Sequence, residues 1–242
     1  MEPVKLINVT HKIGDRTILR ALSVGFAEGK VTAIIGKSGS GKSTLLKTVN
    51  GLTRPTSGEL RLFDEKIDYN ALAALRKKIG YVVQGIGLFP HMTVEENILL
   101  TGKIHLTKDK VSLDRLHALM KLVNLPEPLC VKYPHELSGG EQQRVGICRA
   151  LFLSPPILLM DEPFGSLDPI TRFDIHQEFI KLQQTLPRTV LLVTHDLREA
   201  KKLADEVLVL DNGIVQQFGT TQDVFNHPAT DVIKELLMVA EV

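Results

Sequence analysis

One glycine-rich run has the composition needed to hold an anion. Residues 36–43 read Gly-Lys-Ser-Gly-Ser-Gly-Lys-Ser. A β-branched segment at 30–35 precedes this run, and a helical pattern follows over Lys42–Val49. The glycines let the backbone wrap closely round a phosphate with its N–H groups pointing inward, and the helix start adds its positive dipole end. The run therefore predicts a phosphate-binding loop.

Two side chains at the end of this loop have the chemistry of nucleotide binding. Lys42 is expected to reach the β- and γ-phosphates of ATP, and the Ser43 hydroxyl is expected to ligate Mg²⁺. Lys37 lies outside the fixed positions of the pattern, so we expect it to be solvated. The loop thus predicts ATP and Mg²⁺ as ligands.

An acidic pair, Asp161 and Glu162, follows the apolar run at 157–160. That run predicts a buried strand, and ligands of open α/β sheets bind at the carboxyl ends of the strands. Asp161 is therefore a candidate to hold the Mg²⁺ shell. Glu162 is the candidate general base that orients and polarises an attacking water.

Two more polar residues follow strand-like runs. Gln84 comes after the run at 79–83, and His195 comes after the run at 189–194. Each is an ordinary loop residue when taken alone, but adjacent strand ends would bring both to the same γ-phosphate. We expect Gln84 to contact metal and water, and His195 to contact the γ-phosphate or hold Glu162 in place.

A second helix start at Ser138-Gly139-Gly140 also suits an anion, because small residues expose its amides. Taken alone, the segment fits a plain helix cap better than an anion site. In that interpretation Ser138 caps the helix and Glu141 stands three residues on, as in a capping box. The residues themselves leave both interpretations open.

The whole run Leu-Ser-Gly-Gly-Glu-Gln-Gln-Arg from Leu137 onward, with the loop and the acidic pair, resembles the nucleotide-binding subunits of ATP-binding cassette (ABC) transporters. The resemblance covers essentially the whole chain. The phosphate-loop contacts that it implies are Gly36, Ser38, Gly39, Ser40, Gly41, Lys42, Ser43 and Thr44. Outside that loop it implies nucleotide contacts by Ser138, Gly139, Gly140, Glu141 and Asp168. It also implies metal contacts by Ser43, Gln84 and Asp161, and catalytic roles for Lys42, Gln84, Glu162 and His195.

The resemblance also implies a head-to-tail homodimer. Ser138 and Gly140 of one copy would bind the γ-phosphate held by Lys42 of the other. The D-loop falls on residues 166–168, and its Asp168 would cross the interface. One departure is Ile13, which stands where the family usually places an aromatic residue that stacks on adenine.

Composition excludes several other classes of function. The chain has 242 residues, a formal net charge of +1, and two cysteines outside any metal-binding spacing. These values argue against a nucleic-acid partner and a zinc site, and they favour buried thiols in a reducing compartment. No apolar run approaches the roughly 18–20 residues of a membrane-spanning helix, and no signal-peptide core opens the chain.

Strand-like and helical patterns alternate along the chain, which predicts an α/β fold with a mostly parallel sheet. The resemblance makes this a P-loop NTPase core with an N-terminal antiparallel β subdomain and an inserted α-helical subdomain at about 88–154. Strands are predicted at 6–9, 18–26, 30–35, 58–63, 79–83, 157–160, 189–194, 207–210 and 214–217, the last two as an Asn-Gly hairpin. Helices are predicted at Lys42–Val49, 94–100, Leu113–Leu122, 139–153, 168–184 and Asp231–Met238.

Within the family, the sequence of residues 84–97 is similar to the corresponding segment of bacterial importer subunits. Leu88 and Phe89 would form the apolar floor of a groove for a transmembrane permease, which itself works with a substrate-binding protein. The chain would then be one ATPase domain over 1–242, without a C-terminal regulatory domain, on the cytoplasmic face of the membrane.

Residues 167–172 and the later spacing are similar to ATPases for quaternary amines such as glycine betaine and choline. Importers of amino acids, methionine or sulfonates remain alternatives. A soluble ABC ATPase or a nucleotide sensor without turnover is less consistent with these residues.

Overall fold

The computed structural model describes residues 1–85, 87–106, 111–165 and 167–238. The chain divides into two units. The first comprises Met1–Arg76, Leu159–Asp161 and Arg188–Val242, and the second comprises Lys77–Leu158 and Glu162–Pro187. The two acids of the predicted pair therefore belong to different units, although they are consecutive in the chain.

An antiparallel sheet begins the first unit. β1 (Val4–Ile13) pairs with β2 (Arg16–Phe26) and with β4 (Ser57–Leu62). β4 also pairs with the short β5 (Glu65–Lys66), so the strand order is β2-β1-β4-β5. Gly14, with φ 57°, turns the chain between β1 and β2 in the left-handed region that glycine enters without strain.

A mainly parallel sheet forms the core of the first unit. β3 (Val31–Ile35) lies between β8 (Thr189–Val193) and β9 (Glu206–Asp211) and runs parallel to both. Every residue of β3 and β8 is buried, as expected for strands covered on both faces. β9 turns into the antiparallel β10 (Ile214–Thr220) through Asn212-Gly213, whose φ values of 48° and 77° suit the predicted hairpin.

Strand β7 (Ile157–Asp161) passes from the second unit into the first. Its last three residues extend the strand order of the first unit to β10-β9-β3-β8-β7. In the second unit its start lies beside β6 (Ile79–Val82), where the Ile157 N–H donates to the Lys78 carbonyl at 3.3 Å. All five residues of β7 are buried, so the strand carries an apolar run directly into a carboxylate.

Helices α1 (Lys42–Val49), α2 (Leu72–Lys77), α7 (Leu197–Leu203), α8 (Thr221–Asn226) and α9 (Asp231–Met238) accompany these strands. α1 ends at Val49 with Asn50 as its C-cap, and Gly51 with φ 67° follows, as the sequence predicts. The C-terminal helices close one apolar cluster over the parallel sheet. Its buried members are Ala33, Ile35, Leu197, Ala200, Val207, Val209, Val224 and Ile233.

The second unit is largely helical. It contains α3 (Val94–His105), α4 (Leu113–Leu122), α5 (Gly139–Leu151) and α6 (Pro169–Thr185), with 3-10 helices at Glu127–Val131 and Pro134–Glu136. Polar side chains fix where each α-helix starts: Thr93, Ser112, Ser138 and Asp168 all accept backbone N–H groups from the first turn. Gly102 of α3 lets that helix approach closely, because a Cβ there would overlap the Phe152 ring.

The architecture confirms the predicted α/β class, with its antiparallel N-terminal sheet and its mostly parallel core. The bounds of α1, α4 and α9 are those read from the sequence. α2, α7 and α8 were not predicted, because helices of six or seven residues are too short to show a 3.6-residue periodicity. Among the described residues, no helix is both long and apolar enough to cross a bilayer.

The burial of the Cys148 thiol predicts how the free energy of unfolding depends on pH. Burial raises the pKa of the Cys148 thiol, whereas the unfolded chain should release this proton near pH 8.5. Stability should therefore fall above about pH 8.5, by up to about 1.4 kcal/mol per pH unit. Urea denaturation between pH 7 and pH 10 measures this slope. Cys148→Ala should be less stable throughout but lose less stability above pH 8.5, and equal slopes would contradict the assignment.

Candidate functional site

The glycine-rich loop joins β3 to α1 in a conformation that requires glycine at two positions. Gly36 has φ 151°, and a Cβ there would overlap the Leu210 carbonyl oxygen. Gly41 has φ 107°, and a Cβ there would lie 2.9 Å from a methyl carbon of Leu19. The N-cap residue of α1 is Gly41, which has no side chain to cap the helix. The loop therefore presents backbone at a helix N-terminus, the arrangement that binds phosphate.

Lys42 and Ser40 are the buried polar side chains of this loop. The Lys42 side chain turns back into the loop, where its ammonium donates to the carbonyls of Gly36 at 2.8 Å and Lys37 at 3.1 Å. The Ser40 hydroxyl is buried and has no hydrogen-bond partner among the described residues. A buried hydroxyl without a partner is costly, so its position fits a loop built round a further polar group.

Ser43 and Asp161 meet directly in the first unit. The Ser43 hydroxyl donates to Oδ1 of Asp161 at 3.0 Å, although 118 residues separate them in sequence. Asp161 is only 3% exposed. A hydroxyl and a carboxylate side by side are the hard oxygen ligands that Mg²⁺ takes alongside phosphate oxygens. The donor set therefore fits the expected metal.

Gln84 and Glu162 meet in the second unit. The Gln84 amide Nε2 donates to Oε2 of Glu162 at 3.1 Å. Glu162 has φ 46°, a left-handed conformation that is uncommon for a residue with a side chain. Such strain is stored most often where a side chain must be aimed for function.

Ser138 caps α5 in the way that the capping-box interpretation describes. Its hydroxyl accepts from the Glu141 N–H at 3.3 Å and donates to the Glu141 carboxylate at 2.8 Å. That carboxylate also accepts from the Ser138 N–H at 2.8 Å. Gly139 and Gly140 form the first residues of the helix. These contacts give α5 a fixed N-terminus and leave the anion-binding interpretation as a proposal.

Asp168 caps α6. Its Oδ1 accepts from the N–H groups of Ile170 and Thr171, each at 3.1 Å. The Thr171 side chain hydrogen-bonds the same carboxylate, and this bond, with the backbone donors, lowers the pKa of Asp168. Asp168 is therefore held as an anion at the start of this helix. Ser166 of the expected D-loop lies outside the described residues.

His195 follows β8 as expected and is exposed at the start of a tightly bonded turn. The Thr194 hydroxyl donates to the buried Glu199 carboxylate at 2.6 Å and accepts from the Asp196 N–H at 3.0 Å. Asp196 in turn caps α7 by accepting from the Arg198 N–H at 2.8 Å. The sequence analysis did not single out Glu199. The signal available was a charged residue among the apolar positions of residues 197–203.

Ile13 ends β1 opposite Arg16 and is 63% exposed. The neighbouring His11 contacts the Arg54 carbonyl through Nδ1 at 3.2 Å. An exposed aliphatic side chain thus occupies the position where the resemblance leads one to expect an aromatic ring.

A strand, a glycine loop and a helix that starts at Lys42-Ser43, with an aspartate hydrogen-bonded to that serine, define a P-loop nucleotide-binding protein. Residues 19–165 match the family model described as ABC transporter. The chain belongs to the ABC transporter family, and it carries that family's ATP-binding domain.

Curated relatives are transport ATP-binding proteins. The chain is 44% identical over 93% of its length to the glycine betaine/carnitine/choline transport ATP-binding protein OpuCA of Bacillus subtilis, and it covers 59% of that protein. It is 42% identical to the glycine betaine uptake system ATP-binding protein YehX of Escherichia coli, over 96% of this chain and 75% of YehX. The chain thus spans about three fifths of the first of these relatives.

Solved structures give the same family. A dimeric, post-hydrolysis structure of the ATP-binding cassette MJ0796, bound to ADP and Pi, is 35% identical with a TM-score of 0.81. The match covers 90% of this chain and 98% of the MJ0796 chain. The structure of cbiO1 from Clostridium perfringens, part of the transporter complex cbiONQ, is 30% identical with a TM-score of 0.84 and covers 98% and 95%. The predicted P-loop NTPase fold is therefore confirmed.

The turn beside His195 yields a test of stability. Thr194→Val keeps the shape of the side chain but removes a donor from the buried Glu199 carboxylate, which should cost about 1–3 kcal/mol. Urea denaturation measures the loss. Thr185→Val is the matched control, because it also removes a threonine hydroxyl, but an exposed one, which donates to the Lys181 carbonyl at 2.8 Å. A loss no larger than that of the control would contradict the role of this turn.

Proposed function

We propose that this chain is the ATP-binding and ATP-hydrolysing subunit of an importer that takes up a small solute. The observation that best supports this proposal is the hydrogen bond between Ser43 and Asp161, which places a hydroxyl and a carboxylate together at the end of the phosphate loop. A structural turn has no need of this pair, whereas a nucleotide with its metal does.

The phosphate loop would hold the triphosphate of ATP through the backbone of residues 36–44. Lys42 contributes a positive charge that is already desolvated, since it is 7% exposed. Charge in such a setting interacts strongly with phosphate. Ser43 and Asp161 would hold Mg²⁺, with Gln84 as a further contact. When bound, the metal would neutralise charge on the β- and γ-phosphates.

Glu162 would act as the general base for hydrolysis. Its carboxylate would accept a proton from water while the water oxygen bonds to the γ-phosphorus, and the bond to the β–γ bridging oxygen would break to release ADP and phosphate. Gln84, by donating to Oε2, directs the Glu162 side chain. His195, carried by the bonded turn after β8, would contact the γ-phosphate or Glu162.

Two copies of the chain would complete each site. The N-terminus of α5, with Ser138 and Gly140, would contact the γ-phosphate held by Lys42 of the other copy. Asp168 would approach the opposite phosphate loop. The dimeric relatives among the solved structures support this arrangement.

A transmembrane permease would be the partner, with a substrate-binding protein acting through it. Phe89 is 42% exposed, and Leu88 is half-buried, so an apolar surface is available near the start of α3. The helical subdomain at about 88–154 would then carry the permease contact, within one ATPase domain at the cytoplasmic face of the membrane. Copurification of the chain with a hydrophobic protein from native membranes tests this assignment, and recovery only from the soluble fraction would oppose it.

The solute is inferred to be a quaternary amine. The names of the relatives in Bacillus subtilis and Escherichia coli refer to glycine betaine, carnitine and choline. Loss of radiolabelled glycine betaine or choline uptake on deletion of the gene, restored by the parent gene but not by the Lys42→Ala form, tests this inference.

The role of Glu162 gives the first functional prediction. Glu162→Gln should bind ATP but not hydrolyse it, because an amide cannot accept the proton of water. The variant should then accumulate as a dimer with ATP and Mg²⁺, as size-exclusion chromatography would reveal. ATP hydrolysis near the parental rate would remove Glu162 from the mechanism.

Mixing two inactive variants tests whether Lys42 and Ser138 of one site come from different copies of the chain. Lys42→Ala should prevent nucleotide binding by a single copy, whereas Ser138→Arg should leave that binding intact and block closure. A mixed dimer can contain one site with both residues intact. Weak ATPase activity should therefore return in the mixture, and equal loss of nucleotide affinity in both variants would place Ser138 in the same copy's site.

Ile13 predicts weak discrimination between nucleotide bases. An aromatic stack typically adds about 0.5–1.5 kcal/mol, roughly a two- to tenfold effect on affinity. The parent should therefore bind ATP and GTP similarly, and Ile13→Tyr should bind ATP more tightly with little change in turnover. Fluorescent-nucleotide titration measures both. Strong ATP preference in the parent, or no gain in the variant, would mean that another residue stacks on the base.

A further inference from the structure

The N-terminus of α5 lies against one side chain of α6. Gly140 is buried, and a Cβ built on it would overlap Cγ2 of Thr171. The backbone of Gly140, the second residue of α5, therefore packs directly against the methyl group of Thr171. This contact limits how closely the two helix starts can approach, because a β-branched side chain has little freedom to move aside.

The hydroxyl of the same threonine faces the other helix cap. Thr171 hydrogen-bonds the Asp168 carboxylate through its side chain as well as its N–H. Asp168 also accepts from the Ile170 N–H. Thr171 thus makes two chemically different contacts, apolar toward Gly140 and polar toward Asp168.

The surrounding residues hold α5 and α6 together elsewhere, so Thr171 is not needed to join them. Arg144 of α5 pairs with Glu178 of α6 at 3.3 Å, and both side chains are largely buried. Asn124 donates to the same Glu178 carboxylate at 2.8 Å. Loss of one Thr171 contact should therefore change the local geometry of the helix starts and leave the two helices packed.

We propose that Thr171 is a positioning residue that sets the spacing between the α5 N-terminus and Asp168, so that both reach a second copy of the chain together. The inference rests on the proposed function, in which Ser138, Gly140 and Asp168 of one copy all act on the other. In this role Thr171 would act through Gly140 and Asp168 and would not itself contact nucleotide or metal. Its methyl group sets the position of Gly140, and its hydroxyl sets the direction of the Asp168 carboxylate.

Two conservative variants test the two contacts separately. Thr171→Val keeps a methyl group toward Gly140 and removes the hydroxyl, whereas Thr171→Ser keeps the hydroxyl and removes the methyl group. The three residue types have similar helix propensities, so neither change should unfold α6. Both are made in the Glu162→Gln background, and Thr185→Val at the far end of α6 is the matched control.

The measurements are ATP-driven dimerisation by sedimentation velocity and single-copy affinity for a fluorescent ATP analogue, each with a melting curve. Each Thr171 variant should dimerise about three- to tenfold more weakly, the effect of losing one contact of ordinary net strength. Nucleotide affinity of the single copy should stay within about twofold, since one lost contact outside the phosphate loop leaves that loop's own contacts in place. Thr185→Val should change neither value.

Several results would overturn the inference. Dimerisation of both Thr171 variants at the strength of the Glu162→Gln protein would show that Thr171 sets no geometry that dimerisation uses. An equal loss of single-copy nucleotide affinity, or the same weakening in Thr185→Val, would assign the effect to general destabilisation. Failure of Glu162→Gln itself to dimerise with ATP would instead count against the proposed function.

Discussion

The hydrogen bond from Ser43 to Asp161 is the contact on which the rest of the site depends. It joins the first turn of α1 to the end of β7, two elements that are 118 residues apart in sequence. Both partners follow from buried strands: β3 leads into the phosphate loop and α1, and β7 ends in Asp161, and each strand is buried along its full length. The apolar composition of two short strands thus determines where a hydroxyl and a carboxylate meet.

The sequence predicts elements best where start and stop signals are local. α1 was bounded correctly because a glycine loop precedes it and Asn50-Gly51 ends it. The β9–β10 hairpin was predicted because Asn212-Gly213 suits a turn in which both residues have positive φ. Ser43, Asp161, Gln84 and Glu162 were selected because each follows a run that reads as a strand or the phosphate loop. In these cases residue type and immediate neighbours contain most of the information.

Contacts between distant segments could not be predicted in this way. The approach of Gly140 to Thr171 depends on how α5 packs against α6, and neither residue signals the other in sequence. The buried pair of Thr194 and Glu199 depends on α7, a helix of seven residues without a readable period. The positive φ of Glu162 likewise could not be predicted from residue propensities, because glutamate favours the right-handed helical conformation.

Helix caps account for the local structure of the residues to which we assign contacts with a second copy. Ser138 and Asp168 each accept backbone N–H groups, and each is thereby held in one position at a helix N-terminus. Capping is often treated as the alternative to function, but here it supplies what binding requires. A side chain already ordered by its own helix loses little conformational entropy when a ligand or a second copy arrives. The cap interpretation and the anion-binding interpretation of residues 138–141 are therefore compatible, with the first providing the preorganisation that the second would use.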